Sequence, residues 1–283
     1  MEWHVIPTGR VWVDPGGAFG LVPKPLYIEH QPLDEEQRAP MDLNSILVFS
    51  ENKTILIDTG LGHKLPPKAV KNWGLEWPEG TLLDNLAQRG VSAEDVDIVI
   101  GTHLHSDHCG GNTSEYNGQV LPTFPNAQYY VQSMEFTDAY HPDVRTRGTY
   151  LPENFVPVWQ SGMLDLLYGD TEITGEVHCV LTRGHTRGHQ SVILDDGTGP
   201  PVFFVADLAS YAVHLARPAW VTAYDVEPLE TIRTKQNIQK WAIEHDALLV
   251  FQHDTHTRKG KFYLDEKGRP AIETLETGSI ASE

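Results

Sequence analysis

Cysteine is nearly missing from this 283-residue chain, which holds only Cys109 and Cys179. No disulfide framework can be built from two thiols, and a reducing, cytoplasmic setting is expected. Long apolar runs are missing as well. No window approaches the ~20 apolar residues of a membrane helix, and the opening Met1-Glu2-Trp3-His4-Val5 lacks the charged and apolar regions of a secretory leader. No membrane partner is expected. Basic residues are scarce: 21 Lys and Arg stand against 39 Asp and Glu, a formal charge of −18. Such a field repels phosphate backbones, so nucleic acid is not an expected partner, whereas a small neutral molecule is compatible with it. Repeats and linkers are also missing. One domain is therefore expected over 1–283, with an N-terminal loop at about 14–40 and an irregular insert at about 141–170 flanking a pocket or a subunit interface, as in a homodimer.

What is present reads as a layered α/β protein, since 40% of the residues are hydrophobic and strand-like runs alternate with helical ones. Residues 3–13 read as a strand pair around Gly9. The turn-rich stretch Asp14 to Leu26 reads as irregular and exposes Phe19, Leu21 and Leu26, candidates for an apolar pocket wall. Ser45–Phe49 and Thr54–Asp58 form a hairpin turning at Glu51–Lys53. Thr81 and Asp84 make a capping box for a helix burying Leu82, Leu83 and Leu86 and stopping near Gly90. Later strands are Asp97–Ile100, Gln128–Val131, Val177–Leu181, Ser191–Leu194, Pro201–Asp207 and Ala247–Phe251. Residues 226–245 form an amphipathic helix with Leu229, Ile232, Ile238 and Trp241 inside, and the tail after about Glu273 is expected to fray.

The chemistry concentrates in Gly101-Thr102-His103-Leu104-His105-Ser106-Asp107-His108-Cys109-Gly110-Gly111. Three imidazoles and a carboxylate follow the buried run Ile98-Val99-Ile100, and this donor set suits zinc, with iron, cobalt or manganese also acceptable. Three further apolar strands lead to ligand-type residues: His189 in Gly184-His185-Thr186-Arg187-Gly188-His189, then Asp207, then His253. Open α/β folds place their chemistry where such strand ends and loops converge. Five histidines and two aspartates match the need of two metal ions that share one carboxylate. Cys109 reads as a structural thiol beside a full ligand set.

In these four ordered segments, over roughly residues 40–260, the chain resembles the metallo-β-lactamase superfamily, whose αββα fold sandwiches two mixed sheets between outer helices. The resemblance implies His103, His105 and His189 on one metal, Asp107, His108 and His253 on the other, and Asp207 bridging them. His185 is then a group buttressing the loop. The implied cofactors are two divalent ions, zinc first, with a bridging hydroxide.

Details separate the subfamilies. Asp207 argues against a β-lactamase, and His105, where flavin-linked diiron relatives carry Glu, argues against redox chemistry. Gly-His-Thr-Arg-Gly-His-Gln-Ser is most similar to acyl-homoserine lactonases and the methyl parathion hydrolase group, and Phe19 to Leu26 resembles an N-terminal loop of that group. Lactonases of this type often carry Pro where Arg183 and Arg187 stand. The tyrosine that contacts substrate in some of them is shifted here by one place, to Tyr211. The expectation is a quorum-quenching lactonase in which Asp207 joins the metals and Asp107 handles the leaving-group proton. The alternative is a phosphotriesterase or arylesterase using the same site. Tyr211, His214, Phe19 and Leu21 are candidate substrate neighbours.

Overall fold

Short β-branched and leucine runs, bounded by Gly, Asn and Asp, make most of the strands, and the tightest turn shows why. Glu51 and Asn52 take positive φ values of 50° and 63°, the geometry that closes a two-residue hairpin with the right-handed twist of its strands. The structure is a computed structural model describing residues 1–280. Its contacts divide into two compact units, Met1–Gly9 with Leu43–Glu176, and Arg10–Asp42 with the chain from Val177 onward. Both units carry mixed sheets and helices, which is the expected α/β class.

The first unit is organised by a six-stranded sheet. Its strands are β1 (Glu2–Val13), β2 (Ala39–Ser50), β3 (Lys53–Ile57) and β4 (Ile98–Ile100). A separate two-stranded ribbon, β5 (Thr113–Tyr116) with β6 (Gln119–Pro122), precedes β7 (Gln128–Gln132), β8 (Leu164–Leu167) and β9 (Thr171–Thr174). The order in the large sheet is β1-β2-β3-β4-β7-β8. β2 and β3 are antiparallel, and the β3–β4, β4–β7 and β7–β8 pairs are parallel. Leu47, Leu56, Val99 and Tyr129 of this sheet pack with Leu82 and Leu86 of the helix Leu82–Ala87. That helix starts with the expected box, in which Thr81 accepts from the Asp84 backbone and Asp84 from the Thr81 backbone.

The second unit contains β10 (Val177–Leu181), β11 (Gln190–Leu194), β12 (Val202–Phe204), β13 (Leu248–Val250), β14 (Lys259–Leu264) and β15 (Pro270–Glu276). They run in the order β15-β14-β13-β12-β11-β10. Only β12 and β13 pair in parallel, as the crossover helix Pro228–Glu244 between them requires. Phe203, Leu249 and Phe251 pack with Leu215 and Ala242 in the core of this unit.

Several expectations need correcting. Residues 3–13 form one strand, because Gly9 at φ 143° is accommodated within it rather than turning the chain. The stretch after Asp14 is helical in two places, Pro15–Phe19 and Lys24–Tyr27. Asp14 accepts from Gly16 N–H and caps the first. In the helix Pro228–Glu244, Ile238 and Trp241 pack on the core of the unit as expected and Thr231, Lys235 and Ala242 are buried, but Leu229 is 69% exposed. Leu83 is also exposed. The tail does not fray at Glu273: β15 continues to Glu276, and the Ser279 N–H donates to Asp42. No helix among the described residues is long and apolar enough to cross a membrane.

Candidate metal centre

In the first unit, β4 is fully buried and releases the chain at Gly101 directly into Thr102 and His103. The turn-length helix Ser106–Cys109 then gathers the ligand-type residues. His103 and His108 are wholly buried, His105 nearly so, and their rings cluster, with His103 4.6 Å from His105 and 3.9 Å from His108. The Asp107 carboxylate is the more open one, 15% exposed, and lies 3.7 Å from His108 Nε2. The two glycines that follow permit close backbone approach: a Cβ on Gly110 would sit 2.2 Å from the Leu61 carbonyl oxygen, and one on Gly111 2.3 Å from that of Thr59.

This loop is held from behind by Asp58, at the end of β3. Its Oδ1 accepts from the Thr102 N–H and its Oδ2 from the Thr102 hydroxyl, each at 2.7 Å. Oδ2 also faces His108 Nδ1 at 2.9 Å. With Nδ1–H donated to a carboxylate, the lone pair of His108 lies on Nε2. Asp58 sits at φ 57°, a left-handed conformation that costs a non-glycine residue and concentrates at functional sites. The Asp58 carboxylate supports the loop while its backbone turns the chain at the end of β3. Two supports were missed. Glu135, fully buried, accepts from the Leu104 N–H at 2.9 Å and the Tyr150 hydroxyl at 3.0 Å, and the Tyr150 ring lies 5.0 Å from that of His105. Burial, with Glu135 beside it, drives the Tyr150 hydroxyl pKa far upward, so it is a fixed donor. The only sequence signal for Glu135 was an acidic residue in the first turn of an otherwise ordinary helix. Cys109 donates to the Leu104 carbonyl at 3.2 Å, and burial pushes its thiol pKa up, as suits a structural thiol.

In the second unit the centre is Asp207, in a one-turn 3-10 segment entered through Ala206 at φ 49°. Each carboxylate oxygen faces an imidazole: Oδ1 lies 2.9 Å from His253 Nε2 and Oδ2 lies 3.0 Å from His185 Nε2. The far nitrogens are already committed. His253 Nδ1 is 2.8 Å from the Asp42 carbonyl, and His185 Nδ1 is 2.9 Å from Asp225 Oδ1, which also accepts from the Thr222 hydroxyl at 2.7 Å. Both rings therefore turn Nε2 toward Asp207.

Two neutral imidazoles facing a carboxylate in this way would set acceptor against acceptor, so the arrangement calls for positive charge between them. The electrostatics agree at His185. Burial alone would lower its pKa, but Asp207 and Asp225 on either side overrule it and raise it to about 10. A divalent cation answers that demand with donors that suit it. In the second unit His185 and Asp207 offer atoms to one metal-sized group; in the first, His103 and His105 do so, and Asp107 with His108.

The surroundings of the two histidines of this loop differ from the expected ones. His189 was placed among the ligands and His185 behind them. The structure exchanges their surroundings. Both nitrogens of His189 are used by the protein: Nδ1 lies 2.9 Å from the Thr182 hydroxyl and 3.1 Å from the Thr182 carbonyl. Nε2 accepts the Asp207 backbone N–H at 3.1 Å. His189 thus pins the turn that carries Asp207, and His185 is the histidine aimed at its carboxylate.

The structure places the four candidate substrate neighbours as follows. Phe19 is buried and sandwiched, 4.4 Å from Tyr27 and 5.3 Å from Tyr211, with nearly parallel rings. The Tyr211 hydroxyl donates to the Pro40 carbonyl at 3.0 Å. His214 stands edge-on to both rings, and burial drives its pKa down to about 3. These three build an aromatic core within the second unit. Leu21 is 99% exposed.

Two carboxylate-anchored histidine sets on strand-end loops define a metal-dependent hydrolase of the α/β class. The chain matches the metallo-beta-lactamase superfamily over residues 39–234, and it belongs to that family. Among curated relatives, N-acyl homoserine lactonase AttM of Rhizobium radiobacter is 28% identical over 212 residues, covering 70% of this chain and 76% of its own. Among solved structures, a probable metal-dependent hydrolase from Staphylococcus aureus is 28% identical and superposes with a TM-score of 0.87, covering 98% of this chain and 97% of the other. AidC, a dizinc quorum-quenching lactonase, shares the fold with a TM-score of 0.77 at 19% identity, over 97% and 94% of the two chains. The protein is a metallo-β-lactamase-superfamily hydrolase, and curated relatives such as AttM are named N-acyl homoserine lactonases.

Proposed function

We propose that this hydrolase opens the ring of a neutral lactone of the acyl-homoserine type and uses two divalent metal ions to do so. In this reading His103, His105, Asp107 and His108 of the first unit, and His185, Asp207 and His253 of the second, are the residues that would hold the ions. The observation that carries this reading is the Asp207 carboxylate, with one oxygen turned to the Nε2 of His185 and the other to that of His253. The lactonase class rests on the relatives, of which AttM is one.

When bound, ions of this kind would supply Lewis acidity toward a carbonyl oxygen and a water acidified toward a pKa of ~7. The chain's own residues do the remaining work. Asp58, Asp225 and the Asp42 carbonyl hold Nδ1 of His108, His185 and His253, so each ring is oriented with Nε2 as the nitrogen that would coordinate. Asp207 keeps its two oxygens apart for two partners. Asp107, with the more solvent-facing carboxylate, would take up the proton that the attacking water loses and hand it to the departing ring oxygen. The acidic surface admits a neutral ring more readily than a polyanion.

A rate comparison on the metal-replete protein tests the reading, using an acyl-homoserine lactone series beside a neutral phosphotriester and an aryl ester. The expected result is a kcat/KM for at least one lactone that exceeds the others by orders of magnitude. Equal, low rates on all three, or a preference for the phosphotriester, would overturn the lactone assignment.

A further inference from the structure

The first unit has a cavity of about 380 Å³ whose lining includes none of the metal-ligand residues. Its walls come from the loop after β3 (Gly62 to Leu65), the start of the helix Leu82–Ala87, and the β5 ribbon with the glycines that precede it. Leu65, Leu82 and Leu83 give it an apolar side, while Thr113, Thr123 and Lys64 give it a polar one. The volume lies at the lower end of the range of small-molecule pockets, which characteristically combine an apolar body with a few converging polar groups.

Two of those polar groups have unused hydrogen-bonding capacity. Lys64 Nζ donates to the Gly110 carbonyl and, at 2.7 Å, to the Thr113 carbonyl. An ammonium has three N–H donors, and the third finds no hydrogen-bond partner among the described residues. The Thr123 hydroxyl oxygen is buried and likewise has no partner among them. Burial lowers the Lys64 pKa only to about 8, so the group still carries its charge at pH 7. An unsatisfied buried donor costs free energy until something accepts from it. Lys64 is the one Lys or Arg side chain in the lining and Glu115 the one carboxylate, and the carboxylate that acts on the Lys64 charge is Glu153. A single negative charge is therefore matched better than a phosphate dianion.

We propose that this cavity is a binding site for a small monocarboxylate with an aliphatic body. The carboxylate accepts from Lys64 Nζ and from the Thr123 hydroxyl, and the hydrocarbon part lies on Leu65, Leu82 and Leu83. The site touches the metal loop from behind. Lys64 holds the carbonyl of Gly110, two residues past His108, and the lining residue Thr59 holds the His108 carbonyl through its N–H at 2.7 Å and its hydroxyl at 3.2 Å. An occupant that draws on Lys64 thereby acts on the segment that positions Asp107 and His108. The inference does not depend on the lactonase reading.

The test is calorimetric titration of the metal-loaded protein with sodium hexanoate, and with hexanamide as its neutral counterpart, at constant ionic strength. Lys64→Gln and Thr123→Val proteins are titrated alongside. The expected result is saturable hexanoate binding, weakened about tenfold or more in Lys64→Gln, as befits loss of a charge-assisted hydrogen bond. It is weakened to a smaller degree in Thr123→Val, and hexanamide does not bind. Binding to the metals themselves would persist in both variants, so unchanged hexanoate affinity in Lys64→Gln overturns the proposal, as does no saturable binding to the parent protein. Should Lys64→Gln fail to fold, Thr123→Val decides: an affinity equal to the parent's contradicts the site. Lactone turnover is not part of this readout, so its outcome leaves the hydrolase reading untouched.

Discussion

At the scale of residues, His185 and His189 show what spacing can and cannot reveal. Both are buried, both are histidines of one short loop, and the sequence distinguishes them only by resemblance. What separates them is the identity of the groups around each ring, which the chain assembles from Thr182, Asp207 and Asp225, at up to 40 residues' distance. Replacing His185 with Ala should lower the metal content of the purified protein below that of the parent, measured by elemental analysis. The His189→Ala protein should keep its metals and lose stability instead, on the order of 1–3 kcal/mol for the abandoned buried hydrogen bonds, measured by denaturant unfolding. The reverse pattern would return His189 to the ligand set. Asp225 gives a finer probe. Its replacement by Asn should weaken metal affinity by about 10–100-fold through the loss of the charge that orients His185, read by chelator competition, with the melting of the metal-free protein little changed.

Among the elements, most strands and the capped helix at Leu82 were legible because they obey local rules: apolar runs, turn residues, a Thr–Asp box. Thr81→Ala should cost about 1 kcal/mol through loss of that cap, visible as a lower denaturant midpoint at unchanged slope. The misread elements fail for physical reasons. Gly9 looked like a turn, but a strand tolerates it where Leu75 and Trp77 side chains pack against it. The helix Pro228–Glu244 looked like a leucine- and isoleucine-faced amphipath, yet it buries Lys235, whose ammonium donates to the Trp220 carbonyl at 2.7 Å. A lysine satisfied in this way has no signature in periodicity. The metal loop was the most readable element, since its ligands lie within six residues. Its supports were the least readable, because Asp58 and Glu135 reach it from other elements and resemble ordinary turn and surface acids. The aromatic core around Phe19 was read as a pocket wall because turn-formers surround it, and a stack with Tyr27 and Tyr211 cannot be seen from local composition.

For the whole molecule, the account makes folding and metal binding one equilibrium, since the ligand sets exist only in the folded chain. Chelation should lower the thermal midpoint, and restoring zinc should raise it. Ligand present at a hundredfold over its Kd contributes about 2.7 kcal/mol. A midpoint indifferent to chelator would mean that the histidine sets stand without metal. The −18 formal charge argues at the same scale for neutral substrates and against polyanions. The most direct test of the central claim, that Asp207 joins two metals, is the number of metal equivalents retained per chain after dialysis, compared between the parent and the Asp207→Asn protein. The account predicts two for the parent and fewer for the variant. An Asp207→Asn protein that keeps both ions would contradict it.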